Sequence, residues 1–118
     1  MRYTRIYNDH HGGAKFADEV FAFVAREFAP PAPPVDVSDL VSAYGFMMIR
    51  LPKGWADAAH PAPARQFMVL VSGKVEVVAG GERRTFVSGD VVLLEDTAAP
   101  GHGTTALEET VLAVVRVG

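Results

Sequence analysis

The stretch QFMVLVSGKVEVVAGGERRTFVSGDVVLLED, Gln66 to Asp96, decides the fold class of this chain. Short runs rich in Val, Leu and Phe alternate with breaks that contain Gly, Ser or Asp, at roughly ten-residue intervals. The segment VEVVAGGERRTF reads as a β-hairpin, because the Gly80-Gly81 pair tolerates positive φ. Similar runs lie on either side, in AYGFMMIRL from Ala43 and in TVLAVVRV from Thr110. This pattern predicts an all-β sandwich or closed barrel.

The N-terminal part is less regular. FADEVFAFVAREF, Phe16 to Phe28, has apolar residues at helical spacing and also an alternation typical of a strand. Since the rest of the chain is β, we expect this segment to be extended. The APPAPP segment that follows, residues 29–34, predicts a stiff connector or arm within one domain. A recognition motif for an aromatic groove is the alternative for this segment.

Composition narrows the class of protein. The 118 residues are 49% hydrophobic and 21% charged, which fits one globular domain over residues 1–118. The net charge is −3 without a basic stripe, so nucleic acid is not an expected partner. There is no cysteine, hence no thiolate nucleophile or ligand. No secretory signal and no membrane-length apolar run is evident, so we expect a cytoplasmic protein without a membrane partner.

Candidate site residues lie at the start of one apolar run. If His60 to Leu70 is one extended strand, His60, Gln66 and Met68 point to the same side. Met48 is a candidate neighbour from the preceding strand. We therefore expect a polar site at the mouth of a strand, with methionines beside it.

The same stretch resembles the first conserved motif of the cupins, G-x5-H-x-H-x3-E-x6-G. Gly54, His60, Ala62, Gln66 and Gly73 reproduce its spacing without a gap. The chain most resembles small single-domain cupins of unassigned activity.

The second cupin motif, G-x5-P-x-G-x2-H-x3-N, is matched more loosely. It begins at Gly89, has Glu95 in the place of proline and Thr97 in the place of glycine, and carries His102 two residues late. The resemblance implies a double-stranded β-helix, or jelly-roll barrel, with core motifs in residues 54–106. Residues 1–50 would supply extra N-terminal strands and the proline arm.

The resemblance also implies a metal centre, because a typical cupin holds iron, manganese, nickel or zinc through three imidazoles and a carboxylate. Here Ala62 replaces the second histidine and Gln66 replaces the glutamate. His60, Gln66 and His102 remain as ligands for a weakly bound Zn, Ni, Fe or Mn ion, or for no metal at all. The sequence leaves open whether Glu95 or Asp96 adds a carboxylate.

Two further residues are candidates for ligand binding. Arg65 either forms a salt bridge with Glu95 or Asp96, or clamps a carboxylate of a ligand. Trp55 either packs at an edge as a lid or lines the pocket. His60 or His102 could also act as a general acid or base, since imidazole titrates near neutrality.

These observations favour a small-molecule-binding cupin with a degenerate, weak divalent-metal site. The first alternative is a metal-dependent oxygenase or isomerase acting on a small polar or carbonyl compound, and the second is a scaffold with an inert pocket. Whether the protein is an enzyme stays open, because fold does not decide function. We also expect a homodimer, because edge strands need covering and the N-terminal strands and proline arm are candidate contacts.

Overall fold

The structure, a computed structural model, describes all residues 1–118 and contains eleven β-strands and no helix. The predicted all-β class is therefore confirmed. No helix exists that could cross a membrane. The strands are β1 (Arg2–Asn8), β2 (Ala14–Val20), β3 (Val24–Arg26), β4 (Val35–Val37), β5 (Ala43–Leu51), β6 (Gln66–Ser72), β7 (Lys74–Ala79), β8 (Glu82–Val87), β9 (Val91–Leu94), β10 (Gly103–Ala106) and β11 (Thr110–Val117).

The ambiguous N-terminal segment is extended, as expected. Its residues form the end of β2, a short link and β3, which pairs with β4 as a two-stranded arm on either side of the proline segment. The apolar residues with helical spacing do not form a helix here. Instead, β2 pairs along its whole length with β1, from Arg2 opposite Val20 to Asn8 opposite Ala14.

The other strands form two sheets that enclose the core. One has six strands in the order β2-β1-β9-β6-β11-β5, and the other has three in the order β10-β7-β8. All pairings are antiparallel except that of β1 with β9, which is parallel. This arrangement is a jelly-roll barrel.

The core follows from the two-residue period of the strands. In β11, Thr110, Leu112 and Val114 are buried, while the residues between them are partly exposed. In β7 the same alternation buries Val75 and Val77. These inward-facing side chains meet between the two sheets, so the space available for a ligand lies there.

Two sequence-based expectations about local geometry were wrong. The extended run does not continue from His60 to Leu70, because β6 begins at Gln66 and residues 63–65 form a bend. In addition, β11 lies between β5 and β6, so the preceding strand is not the neighbour of β6. Met48 therefore pairs with Ala113 of β11 and not with a residue of β6.

Candidate functional site

The two motif segments meet as a pair of backbone strands. The segment that begins at Gly54 runs along β10: the Gly54 amide donates to the Ala106 carbonyl, and the Asp57 amide donates to that of Thr104. At the end of this run His60 and His102 exchange two backbone hydrogen bonds, of 3.0 and 3.2 Å. Their rings lie 5.7 Å apart between centroids. The expectation that the motifs bring His60 and His102 together is met.

Gly101 permits this close approach. Its φ is +76°, in the left-handed region that favours glycine, and a Cβ there would overlap the carbonyl oxygen of His60. The loop before β10 can therefore lie directly against the His60 backbone. The two histidines depend on this glycine for their positions.

The two hydrogen bonds of His60 favour its protonated form. Its Nδ1 donates to the Pro61 carbonyl at 2.9 Å, and its Nε2 donates to Oδ2 of Asp57 at 2.7 Å. Both partners are acceptors, so both ring nitrogens carry protons. The hydrogen bond to Pro61, followed by the one to Asp57, raises the pKa of His60 above its ordinary value of 6.5. In this arrangement the ring has no lone pair to offer.

His102 is paired with a buried carboxylate. Its Nδ1 lies 2.5 Å from Oδ2 of Asp96, whose side chain is fully buried. The other oxygen of Asp96, Oδ1, has no hydrogen-bond partner. The carboxylate fixes Nδ1 as the donor, which leaves Nε2 as the ring atom available to a ligand.

Gln66 is also engaged by the protein. Its Oε1 accepts a hydrogen bond of 3.1 Å from Nε of Arg116, and its Nε2 donates to the sulfur of Met68 at 3.7 Å. The side chain is buried. Sulfur is a weak acceptor, so the amide nitrogen remains the group of Gln66 that is best placed to donate to a ligand oxygen.

These contacts test whether the cupin metal fits the residues present. His60 offers no lone pair, the Gln66 oxygen is beside the Arg116 guanidinium, and only His102 keeps a free ring nitrogen. Asp96, which the sequence offered as an extra carboxylate, faces inward but bonds to His102. No group of three or more His, Cys, Asp or Glu side chains is placed to hold a metal. These donor atoms, as the structure places them, do not fit a divalent metal. Whether the weak site predicted from the sequence binds one is a question for titration with metal ions.

A cavity opens beneath the two histidines. Its outer part, about 190 Å³, has apolar and polar residues in equal number: Ile49, Leu51, Trp55, Asp57, His60, Pro63, Gln66, Met68, Leu94, His102, Thr104 and Leu112. A smaller cavity of about 50 Å³ adjoins it inside the barrel and is lined mainly by apolar residues. Five residues line both parts: Met68, Leu94, His102, Thr104 and Leu112. The site is thus an apolar chamber with a polar mouth, the usual form of a small-molecule pocket.

The remaining predicted site residues divide between cavity and surface. Trp55 and Met68 line the cavity. Met48 does not, because it is on the face of β5 opposite to Ile49 and is 51% exposed. Arg65 also lies outside the cavity, with its Nε 2.7 Å from Oε2 of Glu95. Of its two sequence-based interpretations, the salt bridge is the one that the structure has.

The sequence analysis missed two residues that form hydrogen bonds with the site residues and so decide which of their atoms are free to bind a ligand. Asp57 lies three residues before His60, a spacing that could have suggested the contact. Arg116 is fifty residues away from Gln66 in the chain and gives no such signal. Its contact follows from the register of β11 against β6, in which Arg116 is directly opposite Gln66.

Comparison with known proteins agrees with this geometry. The family model for the EutQ-like cupin domain matches residues 59–116. A search of curated proteins gave no match.

Solved structures show the same fold. A conserved protein of unknown function from Streptococcus pyogenes aligns with a TM-score of 0.54 and 18% identity, covering 84% of this chain and 76% of that one. A cupin 2 conserved barrel domain protein from Salinispora arenicola has a TM-score of 0.54 and 20% identity, covering 81% and 76%. A predicted oxalate decarboxylase from Thermotoga maritima has a TM-score of 0.51 and 16% identity, covering 83% and 94%.

The two lines of comparison complement each other. At these identities the solved structures show the barrel, and the family model covers the segment that holds His60, Gln66, Gly73 and His102. Together with the spacing of Gly54, His60 and Gly73, they lead to one conclusion. The chain has the cupin barrel fold, and its residues 59–116 match the EutQ-like cupin domain.

Proposed function

We propose that this cupin binds a small molecule in the barrel, with an oxygen atom of the ligand at the polar mouth and a short apolar part inside. The observation that carries the proposal is the pair of adjoining cavities, of which the outer has His60 and His102 at its polar mouth and the inner is lined mainly by apolar residues. A pocket of this form recognises a ligand by burying its apolar surface while a few polar groups fix its orientation.

The groups at the mouth favour a carbonyl or carboxylate oxygen. The Gln66 amide nitrogen donates only to sulfur within the chain, and neither the Thr104 hydroxyl nor the Trp55 indole makes a side-chain hydrogen bond. All three can donate to an oxygen acceptor. The cationic ring of His60 adds a favourable field for a partial negative charge. We infer that small carbonyl or carboxylate compounds are the ligand class.

The metal-dependent alternative receives no support from the donor set, since His60 and Gln66 would first have to give up Asp57, Pro61 and Arg116. The oxalate decarboxylase description belongs to the Thermotoga protein, and 16% identity gives no reason to transfer it. An inert scaffold would not require a cavity that joins the histidines to the barrel interior.

Trp55 allows a direct test, because it is the single tryptophan of the chain and lines the cavity. Its fluorescence should change saturably with small 2-hydroxy ketones or 2-oxo acids. Leu112→Phe fills the junction of the two cavity parts and should abolish that response. Leu107→Phe, at a partly exposed position outside the cavity, is the matched control and should respond like the wild type. An unchanged response in Leu112→Phe, or none in the wild type, would contradict the proposal.

We also propose that two copies associate through β5. This strand ends the six-stranded sheet and pairs on one side only, with β11. Its outer face exposes Tyr44, Phe46 and Met48 by 69%, 68% and 51%. A two-fold axis beside an edge strand lets the strand pair with its own copy and cover such a face. The second copy is therefore the occupant that fits this edge.

A further inference from the structure

The buried pair of Asp96 and His102 is more than a hydrogen bond that fixes a loop. The Asp96 side chain is 0% exposed and that of His102 is 8% exposed, and Nδ1 and Oδ2 lie 2.5 Å apart. The second Asp96 oxygen has no hydrogen-bond partner. A carboxylate this buried, with the imidazole as its one side-chain partner, orients that ring and holds the proton on Nδ1.

Because Asp96 engages Nδ1, the other ring nitrogen of His102, Nε2, is the atom that can act on a ligand. His102 lines both parts of the cavity, and its Nε2 makes no hydrogen bond within the chain. With Nδ1 protonated, the neutral ring carries a lone pair on Nε2. A lone pair at the wall of a largely apolar cavity, backed by a carboxylate, is the arrangement of a general base.

We propose that His102 is the general base of a metal-independent proton transfer, removing a proton from the carbon next to a carbonyl group. This inference rests on the proposed function, since it needs a small carbonyl compound in the cavity. Asp96 is the positioning residue that orients the ring and fixes the tautomer in which Nδ1 donates and Nε2 faces the cavity. The residues present do not fit the metal that a typical cupin holds. In a metal-independent reaction, the positive charge beside the ligand would come instead from the protonated ring of His60 at the mouth of the cavity.

The step balances without a co-reactant. The C–H bond next to the carbonyl breaks, its proton goes to Nε2 of His102, and its electron pair forms the carbon–carbon double bond of an enolate. The carbonyl π electrons move to the oxygen, which accepts hydrogen bonds from the Gln66 amide and the Thr104 hydroxyl. The Nε2 proton of the imidazolium exchanges with solvent before the imidazolium returns a proton to the carbon, so in heavy water the carbon acquires deuterium. Nothing is oxidised or reduced.

The test uses hydroxyacetone in heavy water, with protein treated with a chelator, and follows the CH2 signal by proton NMR. Wild type should accelerate its loss, and His102→Gln and Asp96→Asn should each be slower by about 100-fold or more. Asp18→Asn is the matched control, since Asp18 pairs with Arg84 on the surface. It should exchange like the wild type.

A second readout separates positioning from a merely structural role. Nitrogen-15 spectra of the folded chain at pH 8 should show His102 protonated at Nδ1 and bare at Nε2, and in Asp96→Asn the proton should move to Nε2. Protonated Nε2 in the wild type would overturn the inference without reference to any ligand.

The fluorescence of Trp55 separates this inference from the proposed function. Binding of hydroxyacetone without exchange would overturn the general base and leave ligand binding intact. Exchange that disappears with the chelator and returns with Zn²⁺ or Mn²⁺ would overturn the metal-independent step. Neither binding nor exchange would contradict both proposals.

Discussion

Replacing Gly101 by alanine should separate the two motif segments and destabilise the protein. A non-glycine residue in the left-handed region costs roughly 1–2 kcal/mol. The added Cβ would also overlap the His60 carbonyl, so that the loop must move away. Two backbone hydrogen bonds, of 3.0 and 3.2 Å, join His60 to His102 and would then be lost, at about 1 kcal/mol each. We expect a total loss of about 3–4 kcal/mol.

Gly81→Ala is the matched control. Gly81 has nearly the same backbone angle, φ +79° against +76° for Gly101, but a Cβ there meets nothing within 4 Å. Both substitutions change the entropy of the unfolded chain equally, so this contribution cancels in the comparison. Gly81→Ala should therefore lose only the backbone term of roughly 1–2 kcal/mol.

The measurement is urea denaturation followed by circular dichroism, with Trp55 fluorescence as a second probe. A domain of this size is stable by about 5–15 kcal/mol, so both losses are measurable. Gly101→Ala should also lose the ligand response of the cavity, whereas Gly81→Ala should keep it. Equal destabilisation by the two variants would refute the argument that close approach to His60 requires Gly101.

Three further outcomes are expected. The raised pKa of His60 means that its stabilising contribution is complete below pH 6.5 and is lost as the pH rises through the folded-state pKa. The difference in unfolding free energy between wild type and His60→Gln should accordingly shrink with rising pH. Calorimetric titration with Zn²⁺, Ni²⁺ and Mn²⁺ should give no binding for wild type or for Gln66→Glu. In the variant, Arg116 is placed to pair with the new carboxylate. Tight binding by either protein would show that the residues do form a metal site. Light scattering should give about twice the chain mass of 12.7 kDa, and Phe46→Lys should give monomers; a monomeric wild type would exclude the β5 contact.

Strand content could be predicted from the sequence because the apolar runs and the glycine breaks are local signals. AYGFMMIRL and TVLAVVRV coincide with β5 and β11 in full. The extended state of residues 16–28 required the context of the whole chain, since their own spacing also fits a helix. The meeting of His60 and His102 followed from motif spacing.

The exposure and the hydrogen-bond partners of each site residue could not be predicted from such local signals. Met48 was assigned to the site on the assumption that consecutive strands are neighbours, and the intervening β11 places it on the outer surface. The assignment of Gln66 as a ligand ignored Arg116, whose position depends on strand register across fifty residues. Hydrogen bonds of this kind decide whether a ring nitrogen donates or accepts, and composition carries no information about them.

The parallel pairing of β1 with β9 determines how much of the chain must be present before the barrel closes. Thr4 pairs with Val92, so the strand nearest the start of this sequence pairs with one of the later strands. Ile6, on the same strand, is fully buried and lines the inner cavity. Expression of residues 59–116 alone would omit this strand and leave an edge of β9 open. The segment that the family model matches is thus shorter than the barrel, which includes β1 beside β9.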